Sequence, residues 1–306
     1  MLQYLSIVVK GGGSQAFGLS GWTIGIPPCY HREPAEAGNP KPRKGITEEH
    51  ALKPKTLFWD IETSLQPAAI FQLANNDWIR PEALLGERYI ICAAWKWSDD
   101  RKVQAVSVLD DPRRYRKDPH DDRHVVDVLR KLMLEADVIV HHKGDSFDRP
   151  FLNTRALFHK FPAMPPVASI DTFKVAKANF FLNSNSLNYL GKFLGVGQKI
   201  HTEHELWLRV LNGDRKAVEE MVRYNKQDVL LLERIYEKLQ PYVTNHFNRE
   251  LLGEDGCPRC GSRDVQSRGY HKALSRVYRR WQCQSCAGWF RSVVNEKDVK
   301  PKYRVL

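Results

Sequence analysis

Ordered alternation of apolar and polar residues begins near residue 55. TLFWDIET, residues 56–63, is rich in β-branched and aromatic side chains and predicts a buried strand. YIICAAWKW and VQAVSVL predict two more strands, close enough in sequence for an antiparallel meander. HVVDVLRKLMLEA then predicts an amphipathic helix, ADVIVHH a fourth strand, RPFLNTRALFHKF another helix and PVASIDTF a fifth strand. From SLNYLGKFLG onward the pattern is largely helical. It ends in AVEEMVRYNKQDVLLLERIYEKL, where Val218, Met221, Val222, Val229, Leu232, Ile235 and Leu239 recur at helical spacing before Pro241 stops the helix. Three strands followed by alternating helix and strand predict an α/β domain over residues 55–245: a mixed sheet with flanking helices.

Two acidic pairs interrupt these apolar runs. Asp60 and Glu62 are two apart on a strand and so share a face, while Tyr224 and Asp228 stack one turn apart on the last helix. Unpaired carboxylates buried beside core residues cost several kcal/mol each, roughly, and a divalent cation offsets that cost. The pattern therefore points to a metal site. Two further acids near the fourth and fifth strands compete for attention: Asp145 lies in a Gly-containing turn and is expected to be exposed, and Asp171 follows a strand as a supporting group. His201 and His204 form an H-x-x-H with no further ligands close by in sequence.

Composition places this site beside a polyanion. The chain has 306 residues and a net charge of +11, and from Cys257 to Leu306 there are 12 Lys/Arg against 3 Asp/Glu, so +9 of the charge lies in the last fifty residues. A basic segment joined to an acidic metal site predicts a nucleic-acid partner. The same segment carries C-x2-C, 22 intervening residues and a second C-x2-C. This spacing makes Cys257, Cys260, Cys283 and Cys286 candidates for one structural Zn²⁺ in a unit over residues 257–306, after a linker at 246–256. Arg276, Tyr278, Arg279, Arg280 and Trp281 interleave cations with aromatics and are candidate nucleic-acid contacts. The unit resembles the zinc ribbons of transposases and other DNA-binding proteins.

Residues 1–54 contain 8 Gly and 5 Pro within the first fifty, and predict a low-complexity or disordered extension with a KPRK cluster at 41–44. No apolar run reaches the roughly 18 residues of a membrane span, and MLQYLSIVV lacks the flanks of a secretion signal. The expected location is the cytoplasm of a bacterial cell, with a phage-encoded origin included.

Asp-x-Glu at Asp60 and Glu62, Phe-Asp at Phe147 and Asp148, and Tyr-x-x-x-Asp at Tyr224 and Asp228 together resemble the DEDD superfamily of 3′ to 5′ exonucleases. The tyrosine matches its DEDDy branch, as in the exonuclease domains of family B DNA polymerases. FDRPFLNTRAL, IDTF, SLNYLGKFLG and YNKQDVLLLE are also similar to stand-alone phage and bacterial members. The resemblance implies a ribonuclease H-like fold and phosphodiester hydrolysis with two Mg²⁺ or Mn²⁺ ions about 3.5 to 4 Å apart. It implies that Asp60 bridges both ions, Glu62 and Asp228 complete the water-activating site, Asp148 holds the second ion and Tyr224 orients the attacking water. Where these relatives carry asparagine four residues before the motif-two phenylalanine, this chain has Lys143, which is a candidate phosphate contact. The expected activity is exonucleolytic removal of nucleoside monophosphates from DNA or RNA. The alternatives are a structure-selective endonuclease on the same fold and a non-catalytic nucleic-acid-binding adaptor.

Overall fold

The structure, a computed structural model, describes residues 54–69, 79–246, 248, 256–273 and 276–293. The expected N-terminal extension, with its KPRK cluster, lies outside these residues except at residue 54, as does most of the expected linker. The chain divides into two compact units, residues 1–52 with 66–87, and residues 53–65 with 88–306. Of the first unit, the described part is a short antiparallel contact between Ala68 and Leu84 beside a 3₁₀ turn at Pro81–Ala83.

The second unit contains a five-stranded sheet in the order β3-β2-β1-β4-β5. Its strands are β1 (Thr56–Thr63), β2 (Ile90–Trp97), β3 (Gln104–Ser107), β4 (Val138–His141) and β5 (Ala168–Asp171). The first three form the expected meander, while β4 and β5 join parallel to β1. The surrounding helices are α1 (Pro112–Lys117), α2 (Arg123–Glu135), α3 (Asp148–Phe158), α4 (Thr172–Asn179), α5 (Leu187–Phe193), α6 (His204–Leu211) and α7 (Arg215–Leu239). The mixed α/β fold is therefore the one its periodicity predicts. Alternation along β1 divides the core: Leu57, Trp59 and Ile61 join a cluster with Val126, Leu129 and Leu152, while Phe58 joins Val140, Ile170, Val229, Leu232 and Ile235. Apolar residues thus cover both faces of the central strand, and α7 packs along it.

Local chemistry shifts several boundaries from their predicted positions. The third strand ends at Ser107, where Ser107 and Asp110 form a capping box that starts a 3₁₀ turn at Val108–Asp110. Asp111 then caps α1, a six-residue helix too short for periodicity to announce. The fifth strand stops at Asp171 instead of running to Phe173, because the Asp171 carboxylate accepts hydrogen bonds from the amides of Phe173 and Lys174 and opens α4. Between α5 and α6, residues 196–203 are not helical.

A second, three-stranded antiparallel sheet in the order β6-β7-β8 is formed by β6 (Val265–Lys272), β7 (Val277–Cys283) and β8 (Trp289–Arg291). Among the described residues, no helix is long and apolar enough to cross a membrane.

Candidate functional site

Strand β1 is central in its sheet, and the neighbours of its acids on β2 are small: Asp60 pairs with Ala94 and Glu62 with Cys92. Both carboxylates emerge beneath α7. There Tyr224, Asn225 and Asp228 fall on one buried stripe of the helix, since residues three and four apart are neighbours. One carboxylate oxygen from each of Asp60, Glu62 and Asp228 lies within 4.8 Å of the others, the spacing of a possible metal ligand set. The Asn225 amide donates to Asp60 Oδ2 at 2.6 Å and steadies that acid. Asp148 begins α3, is buried, and accepts from the Ile61 amide at 3.3 Å, so it approaches β1 between the two strand acids while standing outside the three-oxygen group.

The electrostatics match a buried cluster of anions whose burial and mutual repulsion outweigh the nearby positive charge. Burial, then repulsion from Asp148, Glu62 and Asp228, pushes the Asp60 carboxyl well above the usual carboxylate range. Burial pushes Glu62 up to about 8 and Asp148 to about 6, and it raises Asp228 as well. Tyr224 is raised to about 12, mainly by burial, so its hydroxyl keeps its proton at neutral pH.

One cation intrudes. Lys199 Nζ contacts Asp228 Oδ2 at 2.6 Å and stands 4.9 Å from the Tyr224 ring centre. Burial disfavours its charge, but Asp228, Tyr224 and Asp60 outweigh this and raise its pKa. The Lys199 amide donates to Asn188 Oδ1 at 3.1 Å, which ties its segment back to α5. Sequence reasoning missed Lys199 and Asn225. Asn225 sits in the same helical stripe as Tyr224 and Asp228 and was legible there, whereas Lys199 lies in a segment without periodicity.

Beside this cluster, Asp145 corrects an expectation. It is half-buried, accepting from Ser169 Oγ at 2.6 Å and Lys174 Nζ at 2.7 Å, with His141 Nε2 at 3.3 Å. Hydrogen bonding, led by His141, holds its carboxyl below the usual range. His141 is fully buried and its Nε2 also meets Ser169 Oγ at 2.7 Å. The expected supporting role of Asp171 has a concrete form: its carboxylate accepts from the amides of Lys143 and Asp145 and so shapes the turn leading to Asp148. His201 and His204 are exposed and belong to none of the metal-compatible groups among the described residues.

A three-strand meander, two parallel strands and acids on the central strand beneath a long helix make a recognisable arrangement. The fold is ribonuclease H-like. A family model described as the RNase H superfamily matches residues 94–240. That match starts inside β2, so it leaves out the strand that carries Asp60 and Glu62. Among solved structures, the family B DNA polymerase from the hyperthermophilic archaeon Pyrobaculum calidifontis is similar at 20% identity and a TM-score of 0.47. The similarity covers 67% of this chain and 26% of that one, so the chain spans about a quarter of the polymerase. No curated protein matches the chain.

Three metal-compatible groups occur among the described residues: the acid cluster, His141 with Asp145 and Asp171, and, beyond the ribonuclease H-like domain, the four cysteines. Cys257 and Cys286 sulfurs are 3.7 Å apart, as are those of Cys260 and Cys283. Disulfides need roughly 2.05 Å. Thiolates around a tetrahedral Zn²⁺ at about 2.3 Å stand roughly 3.8 Å apart, so the sulfur spacing fits that ion. Burial raises the Cys283 thiol, but amide hydrogen bonds from Cys286 and Ser285 outweigh it and lower the pKa to about 7. A Cβ added at Gly288 would lie 3.2 Å from the Cys286 sulfur and from Arg259 Cδ and Nη1, so a side chain there would press on the second cysteine pair.

The candidate nucleic-acid residues separate. Lys143 is exposed at the turn before Asp148, far in sequence from the basic segment. On β7, Tyr278 and Arg280 point to one face of the small sheet while Arg279 and Trp281 point to the other, because successive strand residues alternate. Arg276 precedes β7 and is exposed.

Proposed function

We propose that the protein is a metal-dependent 3′ to 5′ exonuclease acting on DNA or RNA, with a C-terminal zinc ribbon that holds the nucleic acid. The observation that carries this reading is the convergence of Asp60, Glu62 and Asp228 within 4.8 Å, with Asp148 hydrogen-bonded to the same strand. Hard divalent cations prefer such carboxylate oxygens, and a cation would displace the protons that the raised carboxyl groups otherwise hold. Asp60, Glu62 and Asp228 would hold one Mg²⁺ or Mn²⁺, and Asp148 with Asp60 a second. When bound, these ions supply a water acidic enough to ionise near neutral pH and charge to stabilise the departing 3′ oxygen.

The chain's own groups do the positioning. Tyr224 is protonated at neutral pH, so its hydroxyl orients the attacking water rather than accepting its proton. The water loses a proton to solvent as its oxygen bonds to phosphorus, the bond from phosphorus to the 3′ oxygen breaks, that oxygen takes up a proton from solvent, and a nucleoside 5′-monophosphate leaves. Asn225 restrains Asp60. Lys199, charged and beside Asp228, is placed to meet a phosphate oxygen. Direction along the strand rests on the DEDDy motif resemblance.

The contact between Lys199 and Asp228 also favours a second reading, in which the lysine replaces a metal and the protein only binds nucleic acid. A single assay separates them. Single-stranded DNA, duplex DNA and RNA, each labelled at the 5′ end, are incubated with Mg²⁺ or Mn²⁺ and the wild-type, Asp60→Ala or Asp228→Ala protein. A ladder shortening from the 3′ end with wild type alone is the expected result. Discrete internal cuts would indicate an endonuclease, and intact substrate throughout would leave the adaptor.

A further inference from the structure

The small sheet has two chemically different faces. Pairing places Arg280 opposite Arg291 and Gln282 opposite Trp289, so these four residues share a face. Arg268 joins them, since its Nε donates to Gln282 Oε1 at 3.2 Å. His271 stacks on Tyr278, the β7 residue of the same face, with ring centres 6.4 Å apart. Arg268, Arg280, Trp289 and Arg291 are exposed, whereas Arg279, Trp281 and Phe290 on the other face are half-buried. No Asp or Glu occurs in residues 265–273 or 276–293.

The exposed cations are held in place. The Arg280 guanidinium lies 5.0 Å from the Trp289 ring centre and donates through Nε and Nη2 to the Arg268 carbonyl. The Arg291 guanidinium lies 3.8 Å from the Tyr278 ring centre. Fixed guanidiniums lose less entropy when they engage phosphates, and stacked ones keep donors at their edges for oxygen. Trp289 is 46% exposed, leaving aromatic surface for a partner.

We propose that this one face, built around Arg268, Arg280, Arg291 and Trp289, is a docking platform for single-stranded nucleic acid, with arginines on the backbone and Trp289 stacked against an unpaired base. This deepens the proposed function and rests on it for the role of the bound strand. Charge complementarity selects a polyanion, and the exposed indole selects a strand with unstacked bases over a duplex, whose bases are already paired and stacked. The opposite face, half-covered and carrying one exposed ring, Tyr270, serves as an internal comparison.

The test is fluorescence anisotropy of labelled oligothymidylate, oligouridylate and a duplex, titrated with full-length protein carrying Asp60→Asn so that the probes survive. Trp289→Ala should weaken single-strand binding about tenfold and duplex binding far less, while Trp289→Phe keeps most of the affinity. Arg280→Ala and Arg291→Ala should each lower the slope of log affinity against log salt by about 0.7, and cost more affinity than Arg279→Ala. Tyr270→Ala should stay within about twofold of the parent. Equal losses on both faces, equal losses for duplex and single strand, or no loss with Trp289→Ala would each overturn the proposal. A variant that fails to retain zinc is replaced in this comparison by Trp289→Phe and the arginine pair. Because binding is read without cleavage, the two readings fail separately. A 3′ ladder from wild type with face-independent binding sinks only the platform, and face-dependent binding without any cleavage sinks only the nuclease.

Discussion

Lys143 occupies a left-handed backbone conformation, φ +67°, in the turn between β4 and α3. Asparagine tolerates this region several-fold better than most residues. Lys143→Asn should therefore stabilise the protein by about 0.5–1 kcal/mol, read as a higher urea midpoint with unchanged m. If the lysine also meets a phosphate, the same variant will bind substrate more weakly while gaining stability. Its neighbour Gly144 has no such latitude, because an added Cβ would lie 1.7 Å from His141 Nδ1. Gly144→Ala should displace the His141 ring, break its contacts with Ser169 and Asp145, and cost about 3 kcal/mol or more in denaturant unfolding.

At the scale of elements, one buried carboxylate ties three pieces of chain together. Asp122 precedes α2, accepts two hydrogen bonds from Arg155 of α3 at 2.8 Å, one from His159 at 2.6 Å and one from the Ile90 amide at the start of β2. It uses no oxygen to cap its own helix. Burial raises its carboxyl, but the hydrogen bonds from His159 and Arg155 outweigh this and hold it below the ordinary value. A depressed folded-state pKa contributes stability that is fully present above the unfolded value, near 3.9, and is lost as pH falls through the folded one. Asp122→Ala should leave Arg155 buried without its partner, cost about 3–5 kcal/mol at neutral pH and flatten the acid limb of the stability curve below about pH 4. Urea midpoints across pH for wild type and variant check both effects.

On the proposed function, folding of the whole molecule would be coupled to two kinds of ion. Raised carboxyls work in the opposite sense to Asp122: as pH climbs from the unfolded value of Glu62, roughly 4.3, to its folded value of about 8, charging the cluster removes stability. A cation bound there, as proposed, would displace protons and relieve the repulsion. Saturating Mg²⁺ should raise the melting temperature more at pH 8 than at pH 6, an increment that Asp60→Asn with Asp228→Asn abolishes. An equal shift at both pH values would contradict the acid cluster as the binding site. In the small sheet, Cys283→Ser should lose bound zinc and amide protection across residues 256–293 while β1 to β5 stay protected, measured by metal analysis and hydrogen exchange. The platform on that sheet, as proposed, would disappear with it.

Periodicity alone determined much of this protein. Side-chain direction along a strand or helix is set by local backbone geometry, so the pairing of Asp60 with Glu62 and the stacking of Tyr224 on Asp228 were readable without a fold, as was the succession of five strands along the chain, but not their order in the sheet. The same alternation separates Arg280 from Arg279, although composition alone grouped them. Only tertiary structure brought Asp228 of α7 onto Asp60 and Glu62 of β1, placed Lys199 against Asp228, and drew Asp145 into contact with His141 and Ser169. These contacts join residues between 4 and 168 positions apart, several of them in turns and loops. Such segments have no repeating direction from which a partner can be read; their side chains find one only when the elements on either side have packed.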